Sequence, residues 1–317
     1  MKRLSRPAVL LAIAATAMAL VLLPRLWIEL QWFQQFELGP VVLKRWGLQC
    51  LALVLVLGIG IPVQLNQLQR CWKLRRRDPA YRGESIFMPL KGWGLLLVLL
   101  LVLGLLSTAT SYLFVQALGL LQEPFSGIVL SSFPVLGSLP LPLVIGIAAV
   151  LLVFLLRWPL TTLRVSLSLA ILASATALAR AWSFWLPAIL ASPFGEGDPV
   201  TGIDLSFTVL RLPAFQLVLS VLMAQGLVGL SACFWLCLSQ GNTLSDWRFA
   251  GFNRQQQAVL RPQLAVLALV AALMASLAPF ELMVQSHGVV AGAGWVDLHL
   301  RLPLRLLLSL VLLTMLF

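Results

Sequence analysis

WGLLLVLLLVLGLLSTATSYLFVQALGLL, running from Trp93 to Leu121, is 29 residues long and contains no Lys, Arg, Asp or Glu. About 20 consecutive apolar residues suffice to carry a helix across a hydrocarbon core about 30 Å thick. A water-soluble core helix would show a polar stripe every third or fourth residue, and this run shows none. Lipid is therefore its expected solvent. The rest of the 317-residue chain agrees: 60% of residues are hydrophobic and 10% are charged, with a mean hydropathy of +0.98. A soluble domain carries roughly 25% charged residues, so this chain lacks the polar surface that water would demand.

Working outward, similar runs predict an all-α polytopic transmembrane helix bundle forming one domain over 1–317. The expected spans are 8–23, 46–63, 93–121, 141–156, 165–190, 209–238, 263–284 and 304–317. The first, MKRLSRPAVLLAIAATAMALVLLP, has the basic head and apolar middle of a secretory signal, with small residues at Ala17 and Ala19. It is read as an uncleaved span. The last run is 14 residues long, or about 21 Å at about 1.5 Å per residue, too short to cross. That gives seven full spans and a short eighth, as expected of a piece of a longer protein.

Orientation follows from the basic residues. With the N-terminus inside, the inner segments 1–7, 64–92, 157–164 and 239–262 hold 15 of the 22 Lys and Arg, and the outer segments hold 4. This bias sets the N-terminus on the cytoplasmic side of the plasma membrane. The same distribution disposes of a nucleic-acid reading of the +11 net charge, because the cations sit in short loops between spans. The densest block, Arg70 to Arg82, is expected to rest against anionic headgroups. Carboxylates show the reverse bias. Glu29, Glu37, Glu123, Glu196, Asp198, Asp204 and Asp297 fall outside, and Glu281 falls near an outer span end. Asp78, Glu84 and Asp246 fall inside.

The outer face therefore supplies most of the candidate functional residues: Asp198, Asp204, Arg211, Glu281, Asp297, His299 and Arg301. VDLHLRL, 296–302, alternates apolar and polar side chains, which predicts an extended segment along the membrane surface that turns inward at Pro303. Asp297 and Arg301 are four apart and share a side in either strand or helix, so an ion pair is expected. A second stretch rhymes with it. DLSFTVLRLP from Asp204 and DLHLRLP from Asp297 both begin Asp-Leu and close on Arg-Leu-Pro before an apolar helix. PFGEGDPVTGID, 193–204, reads as a tight loop whose Asp204 caps the next helix; its carboxylates lack the spacing of a calcium loop.

Within the membrane, Arg180 draws notice, because a charge there needs a partner or water. Either Glu281 pairs with it, joined by Gln116, Gln216 and Gln225 in a polar seam, or it reaches outward to backbone carbonyls. Cys233 and Cys237 lie one helical turn apart, unsuited to a disulfide, and are read with Cys50 as apolar packing residues, while Cys71 is placed in the basic loop. Nothing resembles a zinc motif, a nucleophile elbow or a P-loop. No enzyme, cofactor or metal site is expected.

DPVTGIDLSFTVLRLP and APFELMVQSHGVVAGAGWVDLHLRLPLRLL, with FQQFELGPVVLKRWGLQ more weakly, resemble the large bacterial multi-pass proteins grouped as uncharacterised protein family 0182. The matching positions are Asp198, Pro199, Asp204, Ser206, Phe207, Leu212 and Pro213, then Gly288, Gly292, Ala293, Asp297, Leu302 and Pro303. Thr201, Thr208, His287 and Trp295-Val296 depart from the family pattern. The resemblance implies a bacterial plasma-membrane protein that continues into a large extracytoplasmic region. It carries no catalytic residues. Two functions are in view: the membrane domain of a transporter or permease, and a non-catalytic anchor or assembly subunit whose partners are the bilayer, another membrane protein or further copies.

Overall fold

The computed structural model describes residues 16, 20, 23–75, 90–118, 141–198, 201–239, 248–249, 251–277, 279–281, 286–287, 290–291 and 294–314. The expected first span, the basic block beyond Arg75, the acidic positions Asp78, Glu84, Glu123 and Asp246, and the last three residues lie outside them, apart from isolated helical positions in the first span. The chain divides into two compact units, 1–51 and 52–317.

In the first unit, residues 23–34 are helical. They end at a turn where Glu37 adopts φ 60°. This left-handed residue lets the Leu38 amide reach back to the Phe33 carbonyl at 3.0 Å and stop the helix. Helix α1, Gly39–Arg75, begins here and continues into the second unit. Arg45 on α1 pairs with Glu29 at 2.6 Å.

The second unit is a bundle. After α1 come α2 (Trp93–Leu118), α3 (Leu141–Arg157), α4 (Pro159–Arg180), α5 (Trp182–Leu190), α6 (Leu212–Leu238), α7 (Arg254–Ser276) and α8 (Leu302–Thr314). Five helical stretches are long and apolar enough to cross a membrane: Gly39–Leu74, Trp93–Leu118, Pro159–Arg180, Phe207–Leu238 and Arg254–Ser276. The described residues thus bear out an all-α chain with five such helices, where eight runs were expected. α3 has 17 residues and α8 has 13. The run read as 263–284 is cut short because α7 stops at Ser276, which leaves Glu281 on a separate turn at 279–281. The run read as 165–190 is two helices meeting at Ala181.

α2 and α6 form the centre, with α3 and α4 on one side and α7 then α8 on the other. Their contact is made by small and branched side chains. Leu106, Ser111 and Leu113 of α2, Ala170 and Ile171 of α4, and Val228, Ala232 and Leu236 of α6 are all sealed from solvent. Large apolar side chains such as Leu97, Leu100, Val150 and Val153 are exposed as well as buried, so hydrophobicity does not separate core from surface. Close backbone approach through small residues and interhelical hydrogen bonds does the packing. Gly226 shows the need: a Cβ built there would lie 2.6 Å from Leu267 Cδ2 of α7.

Short polar devices close the ends. The stretch Asn253-Arg-Gln-Gln256 forms a capping box, with the Asn253 side chain accepting from the Gln256 amide at 2.8 Å and Gln256 Oε1 accepting from the Asn253 amide at 3.0 Å. Leu90–Lys91 pairs antiparallel with Arg248–Phe249, joining the approaches to α2 and α7. A second two-residue ladder pairs Ser286–His287 with Val290–Ala291.

Candidate functional site

Both Arg-Leu-Pro triplets fold alike. Residues Phe207–Arg211 and Asp297–Arg301 are single π-helical turns, each leading directly into α6 or α8. Proline explains them. Pro213 and Pro303 cannot donate to the carbonyl four residues back, and the ring would strike it. Widening the preceding turn by one residue relieves the clash. The Leu212 amide then reaches the Phe207 carbonyl and the Leu302 amide reaches the Asp297 carbonyl, five residues back in each case. The extended reading of 296–302 is therefore corrected. The alternation does not mark one dry and one wet edge, because the wide helix leaves several of the apolar side chains exposed. Val296 and Leu300 are 52% and 63% exposed.

The expected Asp297–Arg301 pair is present at 2.7 Å, with Asp297 buried and Arg301 half exposed. The second carboxylate oxygen of Asp297 accepts the Gly294 amide at 3.0 Å, so one side chain both caps the turn and binds the cation. His299 faces outward. Its ring stacks on Trp295 at 4.5 Å, and Nδ1–H donates to the Trp295 carbonyl at 2.9 Å.

Glu281 does not meet Arg180. It pairs with Arg305 at 3.2 Å, and both side chains are less than a tenth exposed. Its other oxygen accepts from Gln216 Nε2 of α6 at 2.8 Å. This triad ties α6, the 279–281 turn and α8 together one helical turn below the Asp297–Arg301 pair. Arg180 is exposed at the end of α4 and donates to the Ala117 carbonyl at 3.3 Å. The outward reading of Arg180 is the one observed.

Asp204 holds the loop before α6. Its Oδ1 accepts the Phe194 and Ser206 amides at 3.0 and 2.8 Å, and its Oδ2 accepts the Gly195 amide at 2.8 Å. The Ser206 hydroxyl and these amides hold its carboxyl well below the usual carboxylate range. A carboxylate surrounded by N–H donors is a poor cation ligand, so the calcium alternative finds no support at Asp204. Asp198 is buried in the same loop, where its Oδ1 accepts the Thr201 amide at 2.9 Å. Gly195 and Gly202 supply left-handed backbone, at φ 82° and 71°. Arg211 ends its π turn exposed to solvent. Among the described residues no group of three His, Cys, Asp or Glu is arranged to hold a metal ion.

The polar seam is partly as expected. Gln225 Oε1 accepts from Ser174 on α4 at 2.9 Å, and its carbonyl accepts from Gln64 on α1 at 3.3 Å. Gln116 instead donates to Tyr112 on its own helix at 3.1 Å. Cys71 is not in a loop. It is buried on α1 in one cluster with Cys233 and Cys237, and Gln263 Nε2 contacts Cys233 Sγ at 3.4 Å. Sequence reasoning missed Arg305 and Gln64. Their only signal was a polar residue inside an apolar run.

The fold and this rim define a class: an all-α chain with several membrane-length helices whose buried charges gather where two π turns lead into helices. The sequence profile described as "Uncharacterised protein family (UPF0182)" matches residues 7–317, and the chain belongs to that family. It is 33% identical over 307 residues to a UPF0182 protein of Prochlorococcus marinus (strain MIT 9303), covering 93% of this chain and 31% of that one. A UPF0182 protein of Synechococcus sp. (strain CC9311) is 32% identical over 309 residues, covering 94% and 31%. One from Thermosynechococcus vestitus is 30% identical over 299 residues, covering 88% and 31%. The chain thus spans about a third of the length of these relatives. No solved structure matches it.

Proposed function

We propose that the chain is a non-catalytic, membrane-embedded scaffold of a larger multi-pass protein in a bacterial plasma membrane. Its membrane-length helices run from a cytoplasmic N-terminus, and the bundle anchors or assembles other polypeptide. One observation carries the reading: the buried charges and the main polar contacts between the helices bind one another, as in Glu281–Arg305–Gln216 and Ser174–Gln225, and the buried polar atoms left over, such as Gln64 Oε1, Gln225 Nε2 and Trp235 Nε1, are isolated ones. Groups closed in this way serve as interhelical glue and offer no row of open ligands to a moving solute.

A transporter or permease domain is the second reading. A buried ion pair beside two π turns favours it, because intramembrane charges and π turns both recur at functional sites. Thiol accessibility separates the two. With Cys50, Cys71, Cys233 and Cys237 replaced by Ala, single substitutions Ser220→Cys and Ser174→Cys are treated with a membrane-impermeant thiol reagent. A scaffold leaves both unreactive in intact membranes, and purification in mild detergent brings down a stoichiometric polypeptide. Rapid labelling of both positions, with solute flux abolished by Glu281→Gln, would overturn the scaffold.

A further inference from the structure

Between α2, α3 and α4 runs a groove of about 380 Å³, lined by Thr110, Phe114, Gly146, Val150, Ser166 and Leu169 among others, almost all of its surface apolar. Its two hydroxyls are turned onto their own helices: Thr110 donates to the Leu106 carbonyl at 2.6 Å and Ser166 to the Leu163 carbonyl at 3.1 Å. Gly146 of α3 lines the groove. A Cβ built there meets nothing within 4 Å, so the space is open beyond it.

On α3 the groove is lined from Pro142 to Leu151; past it, steps of four from Val150 lead to Phe154 and then to Trp158, just beyond the end of α3 at Arg157. Phe154 and Trp158 are stacked at 6.3 Å. The Arg157 guanidinium lies over the Trp158 ring at 5.5 Å. No described carboxylate is in ion-pair range of Arg157, which is exposed. From Gly146 to Arg157 the helix rises roughly 16 Å, about half of a 30 Å hydrocarbon core. An apolar groove on a helix that carries, within one leaflet's depth of it, an exposed cation over a tryptophan ring matches an amphiphile with one anionic end.

We propose that this groove holds an acyl chain of an anionic glycerophospholipid whose phosphate rests against Arg157. The inference depends on the helices lying in a bilayer and is independent of the scaffold and transporter readings. The lipid seals α3, the shortest helix of this side, against α2 and α4.

The 317-residue chain in nanodiscs of phosphatidylethanolamine and phosphatidylglycerol (3:1) tests it. Phosphatidylglycerol and phosphatidylcholine carrying the same diazirine-labelled acyl chain are the probes, and adducts are mapped by peptide mass spectrometry. The phosphatidylglycerol probe should label the segments around Val150 and Ser166 roughly fivefold more than the phosphatidylcholine probe, the factor expected of one basic residue at an anionic surface. Arg157→Gln should erase that preference. Gly146→Leu should remove groove labelling, whereas Gly58→Leu, whose Cβ also meets nothing, should not. Should Gly146→Leu fail to fold, Val150→Trp blocks the same space from an exposed position. Labelling at Leu97 and Leu100, exposed on α2, reports membrane embedding separately. Equal labelling by both probes would reduce the groove to ordinary lipid contact and overturn the proposal. So would a groove that excludes both probes and cross-links to residues 119–140 or to a second copy.

Discussion

Glu281 and Arg305 are both nearly sealed from solvent, so losing either leaves the other charged and buried. Breaking such a pair costs about 3–5 kcal/mol, whereas replacing both members with apolar groups is often neutral. Glu281→Gln should therefore lower the thermal unfolding midpoint in detergent sharply, and Glu281→Met with Arg305→Met should recover most of the loss. Arg180→Ala should change stability by less than about 0.5 kcal/mol, because the side chain is exposed and bound to one carbonyl. Asp204 behaves differently. Its folded-state pKa lies below the ordinary 3.8, so it contributes stability that is complete above the unfolded value and disappears only as pH falls through the folded one. Protection of the Phe194, Gly195 and Ser206 amides from hydrogen exchange should hold from neutrality down to mild acid, and Asp204→Ala should abolish it at neutral pH. The Asp297–Arg301 pair was legible in the sequence because residues four apart meet in almost any helical geometry. The partner of Glu281 was not, because Arg305 looks like a stray cation in LRLLLSLVLL and only tertiary packing selects it over Arg180.

At the scale of elements, helix existence was readable and helix ends were not. Apolar length alone marks a membrane-length run, but the breaks at Ala181 and Leu277 are announced only weakly, by Arg180 directly before the first and by Pro279 two residues after the second. Period analysis failed at 296–302 for a related reason, since it distinguishes a wet face from a dry one and lipid removes that contrast. The prolines carried the information instead. If Pro303 is what forces the π turn, then Pro303→Ala restores an amide at position 303 that can bond to the His299 carbonyl, and the turn should narrow to an α-helix. A structure of that variant should show the shift, with Leu302 no longer bonded to the Asp297 carbonyl. The α6–α7 contact makes a second element-scale prediction. Gly226→Val would push a branched side chain into Leu267, where Cβ alone already approaches to 2.6 Å. Overpacking of this kind costs about 1–3 kcal/mol, so the midpoint should fall while α2–α6 packing is kept.

At the scale of the whole molecule, the expected orientation rests on the charge distribution. The segments assigned to the inside hold 15 of 22 basic residues and those assigned to the outside hold 4. The groups that turned out to be bonded at loops and helix mouths, Asp198, Asp204 and Asp297, all belong to the second set. Moving these carboxylates to the cytoplasmic face would also carry most of the cations outward against the membrane potential, at about 2.3 kcal/mol per charge per 100 mV. Several such charges outweigh any single helix contact in the bundle, so the orientation should survive local mutation. Single cysteines at exposed positions test this in the cysteine-free background. Glu196→Cys should react with an impermeant reagent in intact cells, and Thr161→Cys, exposed in the first turn of α4, only after permeabilisation. Replacing Arg70, Lys73, Arg75, Arg76 and Arg77 by Gln still leaves ten inner cations against four, so the same labelling pattern should persist. Reversal of the pattern in the unsubstituted chain would place Asp198 and Asp297 in the cytoplasm and remove the premise on which the outer rim is read as one face.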